Sequence, residues 1–139
     1  MTPYLTARDP AASLDFYEAA FGFERGQTMP GPDGAVVHAE MRYKSGLLIM
    51  FGVEGMMGST MRSPVSGGFE EPITLYVYVD DVDALFEKSR RAGAEVVSAP
   101  EDMFWGDRVT RLRDPDGYAW SFATNVGEFD PSKMPQAES

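Results

Sequence analysis

The chain contains two copies of one short module, offset by 71 residues. The positions that repeat identically are Asp9 and Asp80, Leu14 and Leu85, Gly22 and Gly93, Glu24 and Glu95, Arg42 and Arg113, Gly46 and Gly117, and Phe51 and Phe122. A module of this size cannot bury a hydrophobic core alone, so we expect the two copies to pack on each other. The surface where they meet is a natural place for a ligand-sized cup.

The length and composition suit one domain with a core of its own, since 43% of the 139 residues are hydrophobic. No run reaches the roughly 18 apolar residues of a membrane span, and the first four residues lack the basic and apolar regions of a signal peptide. The chain has no cysteine, which removes disulfides and thiolate chemistry and agrees with a reducing compartment. We therefore expect a cytoplasmic protein without a membrane partner.

The net charge is −10, from 22 acidic and 12 basic residues. Phosphate backbones are repelled by such a chain, which argues against nucleic acid and anionic membranes as partners. Cationic small molecules are attracted by the same field. The alternative is that the acidity serves solubility alone.

The first copy has the pattern of a strand, a helix and three strands. Residues 4–8 are typical of a strand, and Asp9-Pro10 is typical of a helix N-cap followed by proline at the first helical position. Gly22 is placed to end this helix. The apolar residues that share one helical face are Leu14, Tyr17 and Phe21. The three strands are predicted over residues 23–27, 35–43 and 47–52.

The second copy follows the same order. Its first strand, residues 73–79, alternates aliphatic residues with Thr74, Tyr76 and Tyr78. Asp80 or Asp81 is predicted to cap a helix that ends at Gly93. The helix presents Val82, Leu85 and Phe86. Strands are then predicted over residues 95–97, 108–113 and 118–124, the last two joined by the turn Asp114-Pro115-Asp116-Gly117.

This order predicts an α+β fold in which tandem βαβββ modules form a cupped mixed sheet. We expect one domain over residues 1–139, with modules at about 3–52 and 72–124. The segment 53–71, rich in glycine and methionine, is predicted to be a linker and a candidate lid. The polar tail, residues 125–139, contains two prolines and is predicted to be extended or mobile.

Several segments resemble the vicinal oxygen chelate superfamily. They are residues 8–17, the strand 37–41, and residues 105–108 leading to 114–122. That superfamily includes glyoxalase I, extradiol dioxygenases, fosfomycin-modifying enzymes and bleomycin resistance proteins. The chain most resembles its small glyoxalase/bleomycin-resistance branch, including proteins called PhnB-like, over residues 3–124. The resemblance implies the glyoxalase/bleomycin-resistance fold but no single chemistry.

The resemblance also implies where a metal would bind. The positions that carry His, Gln or Glu ligands in metal-dependent relatives fall here on Thr2, Met50, Thr74 and Ser121. Hydroxyls and a thioether cannot hold a divalent metal against water as imidazole and carboxylate do. The sequence therefore predicts no metal and no cofactor.

Strand alternation predicts which residues line the cup. If aliphatic residues of the strand 73–79 face the helix, its polar and aromatic residues face inward, and the same logic applies to the other strands. The predicted ligand-binding residues are Tyr4, His38, Glu40, Met50, Tyr76, Tyr78, Trp105, Arg111 and Ser121. Phe104 and Trp105 are predicted to close over the mouth of the cup. Glu40 and Arg111 are alternatively a simple ion pair across the sheets.

Two functions follow from these residues. One is a metal-independent protein that binds a small aromatic molecule, with cations favoured, as bleomycin resistance proteins do in antibiotic resistance. The other is an enzyme of the superfamily, a lyase, isomerase or dioxygenase, that uses His38 and Glu40 as acid and base or an unrecognised metal site. Binding is the prediction we favour, because the metal ligands are missing and His38 is the only histidine.

The resemblance further implies a homodimer. In the resembling proteins the first module of one subunit faces the second module of the other, so both chains build each cup. This arrangement predicts two equivalent sites per dimer.

Overall fold

Two four-stranded mixed sheets form the protein, seen in a computed structural model that describes residues 1–136. The strands are β1 (Tyr4–Ala7), β2 (Glu24–Pro30), β3 (Val36–Tyr43), β4 (Gly46–Val53), β5 (Thr74–Tyr78), β6 (Glu95–Asp102), β7 (Asp107–Arg113) and β8 (Ala119–Asn125). The helices are α1 (Pro10–Phe21), α2 (Pro64–Gly67) and α3 (Val82–Arg91). None of the helices within residues 1–136 has the length and apolar character that a membrane crossing requires.

Each sheet is built from one module. The strand orders are β1-β4-β3-β2 and β5-β8-β7-β6, with the first pair in each sheet parallel and the others antiparallel. The predicted α+β class and the tandem βαβββ order are confirmed. Hydrogen bonding, however, divides the strands into two separate sheets with β1 and β5 as edges. The predicted extent of one domain over residues 1–139 stays a prediction.

Local capping signals set the helix ends. The Asp9 carboxylate accepts a hydrogen bond from the Ala12 amide at 3.3 Å, and Gly22 ends α1 with a φ of 70°. In the second module Asp81, and not Asp80, is the N-cap of α3, since its carboxylate accepts from the Ala84 amide at 3.1 Å.

The core lies between the two sheets and the pair α1 and α3. Trp120 and Phe122 are buried in it, with their rings stacked 5.8 Å apart. Phe21 from α1 lies 4.7 Å from the Phe122 ring, so the first helix packs on the second module. The two helices are joined by a buried hydrogen bond from Ser89 Oγ to the Ala20 carbonyl at 2.7 Å.

A buried polar network joins the modules at the turn between β7 and β8. Tyr118 Oη donates to the Thr6 carbonyl at 3.0 Å and accepts from the Thr6 amide at 2.9 Å. Arg8 Nε donates to Asp116 at 3.0 Å. Each bond crosses more than 100 residues of sequence, so the modules are held in one relative position.

Two strands are longer than predicted. β2 extends to Pro30 and β6 to Asp102, whereas the prediction ended them at residues 27 and 97. Both strands contain register shifts against their antiparallel partners, which interrupt the alternation that a sequence reading follows. Each strand continues beyond the irregularity because the partner strand still supplies hydrogen bonds.

The linker has structure of its own. A one-turn 3₁₀ helix covers Met56–Gly58, and α2 follows it. The Glu54 carboxylate accepts from the Ser63 amide at 2.9 Å, and Val65 donates its amide to the Asp116 carbonyl at 3.0 Å. The second half of the linker is therefore attached to the second module.

The residues that follow β8 are attached to the second module by hydrogen bonds, and the prediction of an extended or mobile tail stays a prediction. The amides of Val126 and Gly127 donate to the Gly106 carbonyl at 2.8 and 3.1 Å, and the Asp130 amide donates to the Phe104 carbonyl at 2.8 Å. A 3₁₀ turn then covers Pro131–Lys133. Composition alone missed this because the hydrogen bonds are made to a distant turn. The part of that prediction on residues 137–139 lies outside the described residues.

Candidate functional site

Each sheet has one face turned away from α1 and α3, which we call its open face. Alternation places the predicted site residues of the strands there. On the first sheet the strand register aligns Tyr4, Met50 and Glu40 in one row, and on the second it aligns Tyr76, Ser121 and Arg111. The two rows occupy corresponding positions in the repeat, which follows from the offset between the modules.

The open face of the first sheet carries a tyrosine–histidine pair. Tyr4 Oη and His38 Nδ1 are 3.0 Å apart, and their ring centroids are 5.6 Å apart. The Tyr4 ring lies across Gly52, where an added Cβ would come within 2.6 Å of Tyr4 Oη. Gly52 therefore makes room for the tyrosine that contacts the only histidine.

The open face of the second sheet carries an aromatic cluster held by one carboxylate. Oδ2 of Asp107, a residue only 1% exposed, accepts from Tyr76 Oη at 2.6 Å, Tyr78 Oη at 2.8 Å and Trp105 Nε1 at 3.1 Å. The three aromatic side chains approach Asp107 from β5 and from the turn before β7. We call Tyr76, Tyr78 and Trp105 the aromatic wall.

The hydrogen bonds between the aromatic wall and Asp107 change the pKa values of Tyr76, Tyr78 and Asp107. Burial by itself raises the pKa of Asp107, but the hydrogen bonds donated by Tyr76 and Tyr78, with smaller ones from neighbours, outweigh burial and lower that pKa. Burial raises the pKa of Tyr76 to about 12, and the bond to Asp107 adds to the rise. Asp107 therefore stabilises the fold above its unfolded pKa, and this contribution is lost as the pH falls through its folded pKa.

The C-terminal segment supports the aromatic wall from outside. The Phe104 ring meets Trp105 edge-on at 5.0 Å and Phe129 at 5.8 Å. Asn125 Nδ2 donates to the carbonyls of Gly106 and Gly127, each at 3.2 Å. The turn that carries Trp105 is thus fixed on the second module, and the indole hydrogen bond to Asp107 holds it against the open face. Closure over a cup mouth stays a prediction.

The predicted site residues do not share one cavity. Tyr4 and Tyr76 line a cavity of about 870 Å³ between the edge strands β1 and β5. Arg111 and Ser121 line a smaller one of about 230 Å³. The remaining five lie outside these cavities: His38, Glu40, Met50 and Tyr78 on the open faces, and Trp105 against the second one. Among the ion pairs within residues 1–136, none joins Glu40 to Arg111.

The positions that would hold a metal do not suit one. Thr2 and Thr74 line the larger cavity, Thr74 and Ser121 the smaller one, and Met50 neither. Their donors are hydroxyls and a thioether, which divalent metals bind weakly. Within the described part of the chain, no three His, Asp or Glu side chains are grouped so that they could hold an ion.

Sequence reasoning missed Asp107 as a site residue. The signal was present, because Asp107 precedes Val109 by two residues and Arg111 by four, so alternation along β7 places it on the same face. What alternation cannot predict is that the carboxylate is buried and accepts from both tyrosines.

Comparison with known proteins identifies the family. The family model described as the Glyoxalase/Bleomycin resistance protein/Dioxygenase superfamily matches residues 3–122, and the chain belongs to that superfamily. The fold implied by the resemblance is confirmed. Membership of the narrower PhnB-like group stays a prediction.

Individual relatives cover most of the chain. The uncharacterized protein Mb0911c of Mycobacterium bovis is 38% identical over 100% of this chain and 91% of its own length. The crystal structure of TioX from Micromonospora sp. ML1 has a TM-score of 0.73 and 28% identity, covering 91% of this chain and 98% of that one. The anthracycline biosynthesis protein DnrV of Streptomyces peucetius is 29% identical over 84% of this chain, which spans only 43% of DnrV.

Proposed function

We propose that this chain is a metal-independent small-molecule-binding protein, similar to bleomycin resistance proteins, that holds a planar aromatic ligand against the open faces of its sheets. The observation that carries the proposal is the aromatic wall, in which Tyr76 and Tyr78 are 42% and 58% exposed although both hydroxyls are held by buried Asp107. Rings fixed at a surface lose little freedom when a flat ligand stacks on them.

The cavity between β1 and β5 supports this proposal. Its volume of about 870 Å³ falls in the range of small-molecule sites. Tyr4, Tyr76 and Tyr118 contribute aromatic surface to it, and Ile73 and Leu75 contribute aliphatic surface. A lining of this kind favours a flat apolar molecule.

The name of one relative supports the proposal of a ligand of this class. DnrV is named for anthracycline biosynthesis, and anthracyclines are planar polycyclic aromatic compounds. Membership of a superfamily that includes bleomycin resistance proteins adds antibiotic resistance, by sequestration of a drug, as the proposed cellular role. The proposal includes a cytoplasmic location and no nucleic-acid partner, as the acidic charge suggests.

A second candidate is an enzyme in which His38 and Glu40 act as acid and base. It is favoured by the hydrogen bond between Tyr4 Oη and His38 Nδ1, because a histidine held by a hydroxyl partner is oriented for proton transfer. The hydroxyls and the thioether at the positions that bind a metal in relatives do not support a metal-dependent form of this enzyme.

We expect 9-aminoacridine, a planar aromatic cation, to bind with an affinity that EDTA does not change. Tyr78→Ala removes one exposed ring of the aromatic wall and is expected to weaken binding about three- to thirtyfold. Fluorescence titration measures the affinity with and without EDTA and the affinity of the variant. The control is Leu47→Ala, which removes an exposed apolar side chain next to the turn between β3 and β4.

Absence of binding by the wild-type protein, or binding that EDTA abolishes, would contradict the proposal. Mass spectrometry of the recovered probe tests the alternative. Conversion of the probe by the wild-type protein, abolished in His38→Gln, would favour the enzyme.

We also propose a homodimer in which the open face of the first sheet meets that of the second sheet of the partner. The site residues divide between two separate sheets, so a second copy would enclose both groups. Analytical ultracentrifugation at micromolar concentration is expected to give a species of twice the chain mass, with one ligand site per subunit. A monomer that binds the probe would rule out the dimeric cup.

A further inference from the structure

We propose that the aromatic wall is a subsite for a protonated amine carried by the planar ligand, and that Asp107 is the positioning residue that gives it this preference. The inference rests on the proposed function and names the ligand class, an aromatic compound with a cationic amine. It follows from the hydrogen bonds of the aromatic wall, whose polar hydrogens are donated to Asp107.

The hydrogen-bond donors of the aromatic wall are already engaged with Asp107. Each tyrosine hydroxyl has one proton, and those of Tyr76 and Tyr78 point to Oδ2 at 2.6 and 2.8 Å. The single N–H of Trp105 lies 3.1 Å from both Asp107 Oδ2 and Tyr76 Oη. Toward a ligand, the two hydroxyl oxygens can therefore act only as hydrogen-bond acceptors. A group that donates hydrogen bonds therefore fits the aromatic wall, and a carboxylate or phosphate does not.

Asp107 adds a negative charge directly behind these acceptors. Its hydrogen bonds lower its pKa, so the carboxylate is ionised at neutral pH. Because Asp107 is only 1% exposed, a ligand meets the charge through the tyrosine oxygens and rings rather than through direct contact. The faces of tyrosine and tryptophan rings attract cations in addition.

The cationic side chains closest to Asp107 along β7 do not cancel this charge. Arg108 is held by Asp83 at 3.0 Å and Asp102 at 3.1 Å, at the start of β7. Arg111 shares the open face but is four residues further along β7, about 13 Å away at the rise of a strand. Arg111 therefore repels a cation from the far end of the second sheet and leaves the end at Asp107 as the favourable one.

The test compares two planar probes of similar shape, 9-aminoacridine, a cation with N–H donors, and neutral acridine, at a pH between their pKa values. We expect the wild-type protein to bind the cation about three- to thirtyfold more tightly. Asp107→Asn is expected to bring this ratio close to one while acridine still binds. Tyr78→Phe keeps the ring, removes one acceptor and is expected to reduce the ratio as well.

Asp81→Asn is the matched control. It removes the same charge on the opposite side of the second sheet, and asparagine caps a helix as well as aspartate, so the ratio is expected to stay that of the wild type. Ultraviolet titration of tyrosinate gives an independent readout, since Asp107→Asn is expected to let tyrosine ionise at lower pH.

The outcomes separate the two proposals. Binding of neither probe by the wild-type protein would overturn the proposed function. Equal binding of both probes, or a ratio that Asp107→Asn and Tyr78→Phe leave unchanged, would overturn the amine subsite while the aromatic site stands. If Asp107→Asn fails to fold, Tyr78→Phe decides, because the Tyr78 side chain is 58% exposed.

Discussion

Asp114→Ala is expected to lower the free energy of unfolding by about 4 kcal/mol, near the upper limit for a single substitution. Asp114 is 4% exposed, and Oδ2 accepts from Tyr17 Oη at 2.7 Å and Trp120 Nε1 at 2.9 Å. Oδ1 accepts from the amides of Asp116 and Tyr118, each at 3.0 Å. Removal of the carboxylate leaves four buried donors without a partner, and one of them belongs to the other module.

Urea unfolding followed by circular dichroism measures this loss. Tyr17→Phe is the matched control, since it removes a single donor of the same network and is expected to cost only about 1 kcal/mol. A loss in Asp114→Ala no greater than in Tyr17→Phe would contradict the role of Asp114 as the centre of the network.

The same carboxyl group gives a pH dependence of known sign. Burial raises the pKa of Asp114, so the folded state holds its proton to higher pH than the unfolded state does. Its contribution to stability is therefore complete below the unfolded pKa and is lost as the pH rises through the folded pKa. Asp107 acts with the opposite sign, because its pKa is lowered.

Gly106→Ala is expected to lower the free energy of unfolding by about 2–3 kcal/mol and to release the segment that follows β8. Gly106 has a φ of 97°, where residues with a Cβ are strained. An added Cβ would also lie 2.6 Å from the carbonyl oxygen of Gly127. The substitution thus forces apart the turn that carries Trp105 and the segment that supports it.

Amide hydrogen exchange reports this release directly. The amides of Val126 and Asp130, which donate to the turn, are expected to lose protection in Gly106→Ala. Gly127→Ala is the matched control, because its φ is not in the left-handed region and its Cβ would meet open space. Unchanged protection of both amides would show that Gly106 is not needed for docking of the segment.

Much of the fold could be predicted because its signals are local. Asp9-Pro10 and Gly22 mark the ends of α1, since capping depends on backbone angles and on partners within four residues. Alternation in the strand 73–79 predicts which face of β5 carries Tyr76 and Tyr78. The repeat predicts two modules of one order. The donor types at Thr2, Met50, Thr74 and Ser121, compared with the family pattern, are enough to argue against a metal.

The rest depends on contacts between residues far apart in sequence. Composition suggested an extended or mobile tail and did not predict that its amides donate to a turn 20 to 26 residues earlier. Asp107 looked like an ordinary polar residue next to a turn. Its burial, and the use of both tyrosine hydroxyls as donors to it, require β5 to lie within hydrogen-bond reach of the start of β7.

Local sequence is therefore sufficient for the two-module order, the helix ends and the faces of the strands, because each depends on a few neighbouring residues. Three other features emerge only in the folded chain. They are the division into separate sheets, the network that Asp114 makes between the modules, and the hydrogen bonds that Asp107 accepts from the aromatic wall. A hydrogen bond needs its two atoms within about 3 Å. For residues separated by 29 to 97 positions, tertiary packing alone brings them that close.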